Sequence, residues 1–221
     1  MLENNISEIF EEIKNGNNLG EPIKIVAATK TVDANTINQA IKLGINIVGD
    51  NKVQEFREKS PLINGAEFHF IGHLQKNKVK YLIGKVALIQ SVDSIALAEE
   101  IDKHSKKNGV QTNILMEINI GGELSKSGFS PENAIENAKI LANFENVRLL
   151  GIMAMLPKSE DEQFLAKLCL QTREIYDTIK KEVLPLDILS IGMSNDYKIA
   201  IQNGSNMIRL GTRLFGKRNI T

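Results

Sequence analysis

Between residues 23 and 210 the chain alternates short, β-branched apolar runs with amphipathic stretches of helical period, and it does so eight times. Few architectures accept that rhythm. Strands joined by crossover helices pair in parallel, and a parallel sheet is covered on both faces. Strands are expected at 23–29, 45–48, 67–71, 86–90, 113–120, 147–153, 188–190 and 207–210. Helices are expected at 33–43, 52–59, 75–83, 94–107, from 130, at 160–182 and near 196–202. Asp33 is placed as an N-cap, and Gly44, Gly84, Gly109 and Gly204 stand where helices end. Ser130-Pro131-Glu132 carries a capping hydroxyl, a first-turn proline and an early acid. Residues 2–15 form a leading helix with Leu2, Ile6, Ile9, Phe10 and Ile13 on one face. Eight β/α units without a long linker predict an α/β protein, a single (β/α)8 TIM barrel with an extra N-terminal helix. The expected domain is 1–221, with 1–18 as the leading segment. An open doubly wound sheet is the alternative, but no Gly-x-Gly-x-x-Gly follows the first strand.

Composition narrows the setting. Hydrophobic residues make up 42% of the chain, enough for a buried core. Lys+Arg and Asp+Glu are each 27, so no general attraction to nucleic acid or an anionic membrane is expected. Cys169 is the only cysteine, which excludes an internal disulfide and fits a reducing compartment. The first residues are acidic and polar, and no apolar run reaches membrane-spanning length, so a cytoplasmic protein is expected.

In barrels of this kind the chemistry sits at the carboxyl ends of the strands, with phosphate beside the seventh and eighth. Lys30, Asn51, His73, Ser194, Arg209 and Gly211 all fall at such ends. Lys30 shares a strand face with Val26 and Ala28, and Arg209 shares one with Met207 and Gly211. A lysine at a strand terminus can condense with an aldehyde, and small residues and hydroxyls opposite it can hold a phosphate. The combination suggests pyridoxal phosphate, whereas Lys30 alone would read as a solvated loop lysine. Glu117 interrupts an apolar run and is expected to pair with Lys24 or Arg209, or to be a satisfied buried carboxylate. His69 and His73 lack a third ligand of zinc type, so no metal is expected. The Gly121–Gly128 stretch fails the nucleotide-loop order and reads as a mobile loop at the barrel mouth. Cys169, among Phe164, Leu165, Leu168 and Leu170, reads as a packing residue.

Seven blocks in order then carry a specific resemblance. They are Val26–Thr31, Gly49–Glu55, His69–Lys78, Asn119 with Ser125–Gly128, Gly151–Met155, Ser190–Asp196, and Ile208–Thr212 with Phe215-Gly216. In them the chain resembles the pyridoxal phosphate homeostasis protein family, which is similar to the N-terminal barrel domain of alanine racemase. The resemblance implies that Lys30 is the Schiff-base lysine for pyridoxal 5'-phosphate. It implies phosphate-holding roles for Ser194, Gly211 and Thr212, with Met193 of the same motif counted among the cofactor-binding residues. Arg209 matches the residue facing the pyridine nitrogen, and Asn51 and His73 match positions near the ring. Two departures stand out: Asp50 where the family often has glutamate, and Arg213 where a small or apolar residue is common. The implied function is reversible holding of the cofactor in vitamin B6 and amino-acid homeostasis, by a monomer. Delivery to apo-enzymes is a further reading. The alternative is a small pyridoxal phosphate-dependent enzyme such as an amino-acid racemase, with Tyr81, Tyr176 or Tyr197 as proton donor. No segment for a racemase-type second domain is recognised after the eighth strand, which favours binding over catalysis.

Overall fold

The structure is a computed structural model that describes residues 1–123 and 127–216. Its strands are β1 (Lys24–Ala28), β2 (Ile47–Asp50), β3 (Glu67–Phe70), β4 (Leu88–Val92), β5 (Thr112–Ile118), β6 (Val147–Ala154), β7 (Ile188–Met193) and β8 (Met207–Leu210). They close into a parallel barrel in sequence order, which settles the choice against an open sheet. Closure is made by β1 on β8, with Ile25 opposite Ile208 and Val26 opposite Arg209. The helices are α1 (Leu2–Ile13), α2 (Ala34–Lys42), α3 (Val53–Lys59), α4 (Ile95–Asn108), α5 (Ala134–Ala142), α6 (Glu162–Glu182), α7 (Tyr197–Gln202) and α8 (Thr212–Phe215).

Local chemistry explains the boundaries. Asp33 accepts the Thr36 N–H at 3.0 Å and starts α2. Ser94 caps α4 through the Leu97 N–H, and Gly109 ends it in the left-handed region. Asp161 accepts the Phe164 N–H at 3.0 Å and starts α6. Ser130 departs from expectation. The chain first makes a 3-10 turn, Pro131–Asn133, without a side-chain cap, and α5 begins only at Ala134. The helix expected at 75–83 is a 3-10 helix, Lys76–Tyr81. That winding eclipses residues three apart, and it buries both Val79 and Leu82.

Alternation divides the apolar residues. Val26, Ile47, Ile71, Leu88, Leu115, Met153, Ile188 and Met207 fill the barrel interior. The outward-facing residues pack under the helices, with α6 contributing Leu165, Leu168, Cys169 and Tyr176. Cys169 is buried, and burial pushes its thiol up to about 12. The leading helix inserts Ile6, Ile9 and Ile13 against Ile25, Ile208 and Leu214. No helix among the described residues is long and apolar enough to cross a membrane.

Candidate functional site

Lys30 lies just beyond β1, on a tight turn. Val32 donates its N–H to the Thr29 carbonyl at 3.0 Å, and Thr31 takes a φ of 63°. That left-handed value is unusual for a β-branched residue. Lys30 lines a cleft of about 290 Å³ with Ala28, Thr31, Asp33, Gly211 and Thr212.

Gly211 and Thr212 at the end of β8 also line that cleft, and Ser194, just past β7, bonds the backbone there. Ser194 Oγ accepts the N–H groups of Gly211 and Arg213, each at 3.2 Å. Two backbone donors at the start of α8 thus converge on one oxygen, an acceptor of the kind a phosphate also offers. A Cβ placed on Gly211 would find its nearest neighbour, the Ala28 carbonyl oxygen, at 3.6 Å, an ordinary van der Waals contact. Gly192 differs. Its φ is 103°, and a Cβ there would lie 2.9 Å from both Tyr197 Cα and Ala200 Cβ. Met193 follows with its side chain exposed and its N–H bound to Asp196 Oδ1 at 2.5 Å.

Arg209 is buried where β6 and β7 end. Its Nη1 donates to the Ser190 carbonyl at 2.8 Å and to Ser190 Oγ at 2.6 Å, and its Nη2 donates to the Ala154 carbonyl at 2.9 Å. Its Nε makes no hydrogen bond among the described residues. Burial pushes the guanidinium down to about 10, against the pull of Glu117 and Asp196. Ser190 Oγ donates to Gln90 Oε1 at 2.8 Å, and Gln90 Nε2 stands 2.9 Å from His69 Nδ1. A polar chain therefore crosses the barrel interior from β8 to β3. Burial first, then the charge of Lys24, holds His69 down at about 4, so it is neutral.

Glu117 is buried, and burial and Asp93 push its carboxyl up to about 7 while Arg209 opposes them. Glu117 pairs with neither expected cation within ion-pair distance among the described residues: Arg209 acts on it only through space, and Lys24 acts on His69 instead. Asn51 and His73 line a neighbouring cleft of about 560 Å³ with Lys52, Arg57, Lys78 and Tyr81. His73 Nδ1 lies 3.3 Å from Asp93 Oδ2 and 3.4 Å from Ser127 Oγ. The structure therefore joins Lys30, Gly211 and Thr212 in one cleft, puts Asn51 and His73 in a second that shares no lining residue with it, and leaves Met193, Ser194 and Arg209 out of both linings. A larger cleft, about 680 Å³, opens near Lys24 and Glu67 at the amino ends of strands and contains none of the expected site residues.

Arg213, the second departure, turns its side chain to the leading helix. Its Nη2 bonds Glu8 at 3.0 Å and Glu12 at 3.3 Å on α1. Tyr176 Oη donates to the Leu186 carbonyl at 2.9 Å, and Tyr197 Oη donates to Glu12, so both hydroxyls are engaged away from the cleft. Tyr81 lies under Arg57, with Cζ 4.6 Å from the ring centroid. The loop expected to be mobile falls partly on residues 124–126, outside the described residues. Gln90, Ser190 and Asp196 were not singled out for roles. The signal for Gln90 was its place, with Ser91, in an otherwise apolar strand.

With this geometry in place, comparisons with known proteins agree along the chain. Residues 2–219 match the family model for alanine racemase, N-terminal domain. A pyridoxal phosphate homeostasis protein of Aquifex aeolicus is 41% identical over 198 residues, covering 88% of this chain and 87% of the relative. That of Haemophilus influenzae is 32% identical over 229 aligned positions, covering 99% and 96%. Among solved structures, PipY of Synechococcus elongatus PCC7942 with PLP bound has a TM-score of 0.86 at 26% identity, covering 98% of this chain and 100% of that one. An alanine racemase of Clostridium difficile 630 shares the fold at a TM-score of 0.75 and 19% identity, with 98% of this chain covering 56% of it.

Proposed function

Because this chain belongs to the alanine racemase N-terminal domain family, and within it to the pyridoxal phosphate homeostasis proteins, we propose that it holds pyridoxal 5'-phosphate as a Schiff base on Lys30 and takes part in vitamin B6 and amino-acid homeostasis. One observation carries this reading. A single cleft unites a lysine amine, with no ion-pair partner among the described residues, and the Gly211-Thr212 backbone at the start of α8. When bound, the cofactor supplies an aldehyde for an amine and a pyridine ring that draws electrons from it.

The residues present fit that group. Lys30 presents the amine. Ser194 takes the Gly211 and Arg213 N–H groups on its Oγ and keeps its own O–H to donate to a phosphate, and at Gly211 no side chain stands in the way. Arg209 stays charged at neutral pH and has Nε left to donate. A donor of that kind toward the ring nitrogen disfavours its protonation and leaves the ring a weak electron sink. Together with the engaged hydroxyls of Tyr176 and Tyr197, this supports holding over turnover.

The test is intact mass after borohydride reduction of protein mixed with the cofactor. Wild type should gain one reduced adduct that maps to Lys30, and Lys30→Ala should gain none. An equal adduct in both proteins would refute the assignment. Lys30-dependent exchange of an amino-acid α-proton in deuterated water, at ordinary enzymatic rates, would replace it by the racemase reading. The same proposal takes the protein as a monomer that yields the cofactor to apo-enzymes. Transfer no faster than release into buffer would remove that part.

A further inference from the structure

Helix α3 grips the turn that carries Lys30 from outside the barrel. Lys59 Nζ donates to the Thr29 carbonyl at 2.8 Å and lies 3.2 Å from Glu55 Oε2 and 3.8 Å from Asp50 Oδ1. Glu55 Oε2 accepts the Thr31 N–H at 3.2 Å. Thr29 Oγ1 donates to Asp50 Oδ1 at 2.8 Å. Both peptide groups that flank Lys30 are therefore held by charged side chains of one element, α3, seated on the buried Asp50.

This arrangement is costly for mere packing. Asp50 is 1% exposed, and its Oδ2 has no hydrogen-bond partner among the described residues. Burial pushes its carboxyl up, against the Thr29 hydroxyl and the Lys59 charge. A buried ion pair is seldom better for stability than apolar residues of similar volume. It does supply direction: two fixed points on a backbone that Thr31 holds in the left-handed region. A lysine side chain is long and flexible, so where its amine reaches depends on how firmly its Cα is fixed.

We infer that Lys59, with Glu55 and Asp50, is a positioning residue that holds the Thr29–Thr31 turn so that the Lys30 amine is presented to the cleft. The inference rests on the reading of Lys30 given above and adds what orients it. The amine still does the bonding, and Lys59 acts only through the backbone. Gly211 and Thr212 lie in the same cleft on another set of elements, so a phosphate held there would not depend on α3.

The experiment follows the rate at which full-length protein, mixed with pyridoxal 5'-phosphate and quenched with borohydride at set times, gains mass on Lys30. The affinity for inorganic phosphate is measured in parallel. Lys59→Met and Glu55→Ala should slow trapping about tenfold or more and leave phosphate affinity within about twofold, a split a general loss of structure would not produce. Amide exchange at Thr31 should quicken in both, and Lys59→Arg should recover most of the rate. Should Lys59→Met fail to fold, Glu55→Ala decides, because Glu55 is partly exposed. Trapping at the wild-type rate in a folded Glu55→Ala overturns the inference, as does a parallel fall in phosphate affinity or an adduct on Lys59. Lys30→Ala separates the two levels. If it traps as much as wild type, the reading of Lys30 fails; if it traps nothing while Glu55→Ala and Lys59→Met are unaffected, only the role of Lys59 fails.

Discussion

Two glycines a short way apart in the site motifs do different work. At Gly192 a Cβ would press into the Tyr197 backbone on a φ that L-residues rarely adopt. Gly192→Ala should therefore lower stability by about 2 kcal/mol or more, seen as a fall in thermal midpoint. At Gly211 the same methyl meets only van der Waals neighbours. Gly211→Ala should keep the midpoint and lose cofactor affinity, because the methyl fills the space beside the α8 amides. Equal thermal losses in the two variants would contradict this division. Two buried titrating groups supply opposite pH responses. Glu117 binds its proton more tightly when folded, at about 7 against an ordinary 4.5, so the stability it adds below that range is lost as pH rises through 7. His69 is depressed to about 4 from 6.5, so its contribution is whole above 6.5 and is lost as pH falls toward 4. Between pH 5 and 7 each is worth about 2 kcal/mol, and they nearly cancel. Glu117→Gln should leave the protein more acid-labile across that window, whereas His69→Gln should make it more stable at pH 5 than at 7. Thermal midpoints at both pH values check the signs, and parallel profiles in the two variants would refute them.

At the scale of elements, α1 is a strap across the barrel seam. Ile9, fully buried, sits among the residues that cover β1 and β8, the pair that closes the ring. Ile9→Ala should cost about 3 kcal/mol through lost burial and the cavity left behind. Arg213→Ala removes partly exposed pairs with Glu8 and Glu12 and should cost about 1 kcal/mol or less. Chemical denaturation of both variants tests the ranking, and an equal cost would show that charge, not packing, holds the strap. Elements with strong periodicity were legible: α1, α2, α4 and α6 lie within a few residues of where their apolar faces and caps place them. Short ones were not. Helix α8 spans four residues, too few to show a period. The Lys76–Tyr81 segment has the composition of an α-helix but starts with lysines at its amino end, where cations are disfavoured, and it closes as 3-10.

For the whole molecule, the order of strands follows from the alternation, and closure follows from the absence of any break in it. Eight parallel strands with right-handed crossovers leave few other ways to bury both sheet faces. That much, with Lys30 at a strand end and the small residues of the seventh and eighth strand ends in a common mouth, was determined by the sequence alone. Each of these facts rests on signals a few residues wide: period, cap, glycine, motif. Tertiary structure alone decided the partners. It chose Ser190 and Ala154 for Arg209, α1 for Arg213, and α3 for the turn bearing Lys30. These groups lie between 19 and 205 positions apart in the chain, and nothing local distinguishes one buried or half-buried charge from another until the barrel has closed and the low dielectric of its interior selects which of them can meet.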